Sequence, residues 1–197
     1  MHNLQQSLPP LRFCSDIIQP SSCSGNIGVV FDSTMSMLSH VKAVCESALY
    51  HLRNIFRIRK LLSTKTNETL VHAFVTSELD HCNSLLYSVP KYVIKKLPSV
   101  QNTAARLIRS SRKFDRITPI LFDLHWLPVS ERIKFKIILL THRALHQQSP
   151  TYIQDLIRRH STSRTLRSSS SLRLTPVNCF NLKSYGPRAF TVSAPEL

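Results

Sequence analysis

Glu78 and Asp80 are the closest acidic pair in the chain, and they are the first place to look for metal-assisted phosphoryl chemistry. A two-metal site needs carboxylates that share Mg²⁺ ions. Residues two apart on a helix point to different faces, so this pair cannot hold one ion. His142 and His146 stand one helical turn apart and could chelate zinc, but they have no intervening Glu at the second position and no third ligand nearby. The cysteines (Cys14, Cys23, Cys45, Cys82 and Cys179) are odd in number and none form a CxxC pair. That pattern predicts reduced thiols and not a disulfide frame. With 3 glycines in 197 residues there is no Gly-rich phosphate loop. No Ser/His/Asp or Cys/His grouping stands out. The expectation is therefore a chain without a metal, a cofactor or a catalytic centre of its own.

The cations carry a different chemistry. Lys95, Lys96, Arg106 and Arg109, with Arg112 and Lys113 just beyond, fall on one side of a helical run. Such a face neutralises phosphates without regard to base sequence; its bland counterpart is a solvated surface. Gln101 and Asn102 lie within the same run and could reach sugar, phosphate or base edges, or could equally be helix-packing amides. Asp80 and Asn83 suit a hydrogen bond across a helix bundle better than a strand contact, because both flank core positions. Trp126 beside His125 could stack on an unpaired base, but a lone Trp between Leu124 and Leu127 reads as a core anchor. Arg158, Arg159, Arg164, Arg167 and Arg173 form a basic tail suited to RNA or to a nuclear-import signal. The bulk charge agrees: 26 Lys+Arg against 11 Asp+Glu give +15 and a pI near 10.2. A field of that sign draws nucleic acid first and anionic membrane second.

These residues need elements to position them. Residues 1–25 are Ser/Pro-rich and read as an irregular lead-in. Ile27–Phe31 is a short apolar strand within 26–33, whose partner is either residues 10–18 or a sheet outside the sequence. From Ser36 the period becomes helical, with Val41, Val44, Cys45, Ala48, Leu52 and Ile55 on one stripe and Arg53, Arg57, Arg59 and Lys60 towards its end. Those cations suit the negative end of a helix dipole. A second run starts near a cap at Thr64 and is stopped by Pro90. A third starts at or near Pro98, since proline is tolerated in a first turn. Together they predict a three-helix bundle over 34–115. A junction at Thr118–Pro128 leads to a helical extension over 116–160, with helices at Glu131–His146 and Tyr152–Arg159. Residues 161–197 read as a flexible, basic Ser/Arg-rich tail with one short strand at most. The fold class is mainly α, preceded by one or two short strands. No run approaches the roughly 20 apolar residues of a membrane span, and residues 1–10 lack a signal-peptide core. An intracellular protein of nucleus or cytoplasm is expected.

Several landmarks, in order, resemble the non-LTR (LINE-type) retrotransposon reverse transcriptases. Ile27–Asp32 followed by Ser39-His40-Val41 looks like that family's palm-to-thumb segment. Leu79-Asp80-His81-Cys82-Asn83-Ser84-Leu85-Leu86 is similar to its "LDYCNSLL" helix, with His81 where the family usually has Tyr. Val100-Gln101-Asn102-Thr103-Ala104-Ala105-Arg106-Leu107 resembles "VQNAAARL". Leu124-His125-Trp126-Leu127-Pro128-Val129 resembles "LHWLPV", and Arg188-Ala189-Phe190 the family's "RAF" close. The resemblance covers about residues 26–197. It implies a thumb-like bundle with a C-terminal extension, without the palm carboxylates that catalyse RNA-directed DNA synthesis. The partner it implies is RNA or DNA as a template–primer duplex, gripped nonspecifically. A stand-alone helical interaction module and a nonfunctional retrotransposon remnant share the same residues.

Overall fold

The computed structural model describes residues 9–160, 173–177 and 186–197, and it is mainly helical behind two short antiparallel hairpins. The first hairpin pairs β1 (Leu11–Phe13) with β2 (Asp16–Ile18) and is exposed along its length. The second pairs β3 (Cys23–Asn26) with β4 (Val29–Asp32) in the register Asn26 to Val29 and Cys23 to Asp32. Its two-residue turn, Ile27-Gly28, has both residues at positive φ, the type I′ geometry that matches strand twist. So the described part of the expected irregular lead-in, residues 9–25, holds a hairpin and the strand β3, and the apolar strand pairs with residues 23–26 and not with residues 10–18. The turn chemistry at Asn26–Gly28 brings residues 23–26 back onto it.

Asp32 turns the chain into the first helix. Its Oδ1 accepts from the Thr34 and Ser36 amides at 3.1 and 2.8 Å and from the Thr34 hydroxyl at 2.8 Å; its Oδ2 accepts from the Ser36 hydroxyl at 2.9 Å. α1 (Leu38–Ile58) then buries His40, Val41, Cys45, Ala48, Leu52 and Ile55. It packs on α5 (Leu97–Arg109), which buries Leu97, Val100, Ala104, Ala105 and Ile108 in the same core. Pro98 sits in the first turn of α5, where its missing N–H costs nothing.

The second run is more broken than its periodicity suggests. Ser63, one residue before the expected cap, receives the Thr66 amide at 3.1 Å and starts α2 (Thr64–Val71). The helix widens to a π turn over His72–Thr76 and resumes as α3 (Ser77–Asp80). It stops there and not at Pro90, because His81 turns extended to place its Nε2 3.0 Å from the Ile27 carbonyl, and Cys82 enters the left-handed region. A 3₁₀ turn, Asn83–Leu86, and the one-turn α4 (Lys91–Ile94) lead into α5.

The junction contains a helix, α6 (Ile117–Asp123), which packs on α5. His125 at positive φ folds Trp126 back, and the Trp126 amide donates to the Leu121 carbonyl at 2.8 Å. Trp126 is buried, a core anchor. α7 (Val129–Leu145) starts two residues earlier than expected, and α8 (Thr151–Gln154) is a single turn. Arg159 and Leu174 form an isolated antiparallel bridge. Residues 161–172 and 178–185 of the expected flexible tail lie outside the described residues. At the far end, however, α9 (Phe190–Glu196) packs on α7 and buries Val192, Ser193 and Ala194, apolar contacts too few and too local to show in composition.

Candidate nucleic-acid interface

The last turns of α1 and the C-terminal half of α5 diverge to leave a groove of about 640 Å³. Its floor is apolar: Leu49, Leu52 and Phe56 from α1, Leu107 from α5. Its walls carry Arg53, Arg57 and Arg59 from one side and Arg106 and Lys113 from the other. That is five cations and no carboxylate among the lining residues.

Local contacts hold this like-charged set in place. The Arg59 guanidinium lies over the Phe56 ring at 4.2 Å from its centroid. Arg106 Nη2 donates to the Asp115 carbonyl at 3.3 Å. The loop after α5 is fixed by Ser110 in the left-handed region and by the Asp115 carboxylate, which accepts the Arg112 amide at 2.7 Å. Two donors that line the groove, Arg106 Nε and Ser111 Oγ, are buried and have no acceptor among the described residues. A buried donor left unmade costs about 1–3 kcal/mol, more when charged.

The cationic face expected from sequence therefore divides. Arg106 and Lys113 belong to the groove. Arg109 is exposed on the last turn and donates to the Asp123 carbonyl at 3.3 Å, and Arg112 is exposed in the loop. Lys95 and Lys96 are exposed at the opposite end of α5, whose 13 residues span about 20 Å. Asn102 is half-buried, one turn before Arg106. Gln101 is not available to any ligand. It is 2 % exposed, its Nε2 donates to the Leu127 carbonyl at 2.7 Å, and its Oε1 accepts the Val129 amide at 3.1 Å. Of its two sequence readings, the packing amide is the one the structure shows. Its placement four residues from both Leu97 and Ala105 is the signal, since those positions share the buried face.

Arg53, Arg57 and Arg59 are the groove residues that periodicity assigned to a helix dipole. Their partners, Arg106 and Lys113, lie far along the chain, and only the packing of α1 on α5 joins them.

The other polar candidates are used internally. Glu78 accepts the Ser47 hydroxyl at 3.2 Å, while Asp80 faces Arg132 on α7, so the two carboxylates do diverge. Asn83 Nδ2 reaches Asp80 Oδ1 at 3.4 Å. His142 and His146 stack at 4.0 Å, and no group of three His, Cys, Asp or Glu side chains is placed to hold a metal among the described residues. In the basic tail, Arg159 donates to the Leu145 carbonyl at 2.8 Å; Arg164 and Arg167 lie outside the described residues. No helix among the described residues is long and apolar enough to cross a membrane. Comparison of the chain with protein-family models, curated proteins and solved structures returns no match.

Proposed function

We propose that this chain is the thumb and C-terminal segment of a non-LTR retrotransposon reverse transcriptase, and that it grips template–primer nucleic acid through phosphates without sequence preference. The observation that carries the binding half of this reading is the groove between α1 and α5. It holds five cations and no carboxylate among its lining residues. Phosphate oxygens complement that charge, and displaced counterions supply the driving force. The ordered motifs at residues 79–86, 100–107 and 124–129 support the ancestry. RNA-directed DNA synthesis would belong to the parent enzyme. The residues here would contribute the grip, since Glu78 and Asp80 are committed to separate partners.

The test is a binding titration across salt. Five engaged cations predict a slope of log K against log[salt] of about −4 to −5, and Arg53→Ala with Arg57→Ala should flatten it by about two. Affinity that is indifferent to salt, or a double variant that binds unchanged, overturns the reading. The ancestry is tested separately by reading the genomic sequence upstream of Met1 for an in-frame aspartate-pair hairpin.

A further inference from the structure

Phe56 lines this groove among its cations, Phe114 and Tyr50 stand beside the lining cations Lys113 and Arg53 along the chain, and a duplex has no use for such rings. Phe56 lies on the groove floor yet is 56 % exposed. Phe114 is 92 % exposed and follows Lys113, whose Nζ stands 5.8 Å from its ring centroid. Tyr50, one turn before Arg53 on α1, is 62 % exposed. A paired helix shows phosphates on its outside and keeps its base faces stacked within, so these rings would stay wet against it. An unpaired strand offers both components together: phosphates for the guanidiniums and base faces for the rings. Arg59 already lies over Phe56, so a base entering here meets a ring whose partner is a delocalised cation.

Resting on the proposed phosphate-binding role of the same groove, we infer that its preferred ligand is unpaired single-stranded nucleic acid, with bases stacked on Phe56 and Phe114. The strand backbone runs between Arg53 and Arg57 on α1 and Arg106 on α5. Base identity matters little, because every base has a stacking face.

Fluorescence anisotropy with the full chain tests this on three labelled probes at one salt concentration: a 20-mer of uridine, a 20-base-pair duplex, and a 20-mer of abasic sugar-phosphate. The uridine strand should bind about tenfold tighter than either other probe. Phe56→Ala and Phe114→Ala should each lower single-strand affinity by about tenfold, and Phe114→Ala, outside the groove lining, should leave duplex affinity unchanged. Phe114 is exposed enough for its loss to leave folding intact, and Phe56→Leu, which keeps the apolar floor, should lose affinity as Phe56→Ala does. Equal or tighter duplex binding, an abasic strand that binds as well as the uridine strand, or phenylalanine variants without effect would overturn the inference while leaving the phosphate grip standing. Failure of all three probes to bind would remove the grip and the inference together. An acidic, Leu-rich peptide that displaces the bound strand and outbinds it would assign the groove to a protein partner instead.

Discussion

Arg132 Nη1 donates to Asp80 Oδ2 at 2.7 Å, joining α7 to the end of α3 across 52 residues of chain. Arg132 holds three things at once. Its Nε donates to the Leu127 carbonyl at 2.9 Å, and its guanidinium lies 5.7 Å from the Trp126 ring centroid. The Asp80 side chain is 41 % exposed, so solvent screens the ion pair, and Asp80→Asn should cost under about 1 kcal/mol. Arg132→Ala loses all three contacts and should cost about 2 kcal/mol. Urea midpoints measure both. Equal losses would mean that the ion pair, and not the carbonyl and ring contacts, carries the stability.

Gln101 bridges the Leu127 carbonyl and the Val129 amide, which opens α7. Truncation to Ala leaves the buried Val129 amide without its acceptor and the Leu127 carbonyl with Arg132 alone, a loss of about 1–3 kcal/mol. Thermal melting should show a large fall for Gln101→Ala. Nucleic-acid affinity measured well below the melting range should be unchanged, because Gln101 does not reach the groove. A variant that melts normally but binds weakly would contradict this placement.

His40 predicts a pH dependence near neutrality. It is 2 % exposed, its Nδ1 accepts the Val30 amide at 3.5 Å, and it ties β4 to α1. Burial holds its pKa below the ordinary 6.5; the neighbouring His81 pushes the same way, and Glu78 opposes them. The unfolded chain therefore takes up this proton before the folded one does. Stability from His40 is whole above pH 6.5 and is lost as pH falls through the lowered folded value. Urea unfolding between pH 7.5 and 5 should show that decline, and His40→Asn should flatten it.

Asp32 predicts a second loss in acid. Burial acts to raise its pKa, but the amides and hydroxyls of Ser36 and Thr34 outweigh burial and hold it below 3.8. Its contribution is present above pH 3.8 and disappears as pH falls through the depressed value. Asp32→Asn should cost about 1 kcal/mol at pH 7. Wild type and variant should converge in melting temperature below pH 3.

The thiols should separate by rate. Cys14 and Cys23 are exposed; Cys45 is 4 % exposed, and burial pushes its thiol up, with Lys96 opposing. At pH 8 an aromatic disulfide reagent should titrate Cys14 and Cys23 quickly and Cys45 only on unfolding. Rapid modification of Cys45 in the Cys14→Ser, Cys23→Ser background would mean that α1 opens readily.

The helical stripes of α1, α5 and α7 are legible in the sequence because apolar residues repeat at three and four positions, and the core is built on those repeats. The stop at His81 is not legible. Leu79, Cys82, Leu85 and Leu86 continue a helical stripe, and no Pro or Gly intervenes. The break depends on a contact with Ile27, a residue on another element. The second hairpin is hidden for the opposite reason. Asn26-Ile27-Gly28 carries the turn, but β3 is Cys23-Ser24-Gly25-Asn26, with no apolar alternation to announce a strand. For the groove, periodicity found the cations of α5 and could not pair them with those of α1, since charge carries no register between helices.

The π turn at His72–Thr76 has a consequence for how this sequence tolerates change. It winds with one residue more than an α-helical path, and the Ser77 amide donates back to the His72 carbonyl. Deleting a single residue there would let the stretch close into α-helix and would keep the residues after it near their present angular phase. A one-residue deletion in the α-helical turns of α2 would instead rotate everything after it by about 100°. Leu79 would then leave the core, Glu78 would leave Ser47, and Asp80 would swing away from Arg132. The wide turn is therefore the one place in this helix where the chain can lose a residue at small cost.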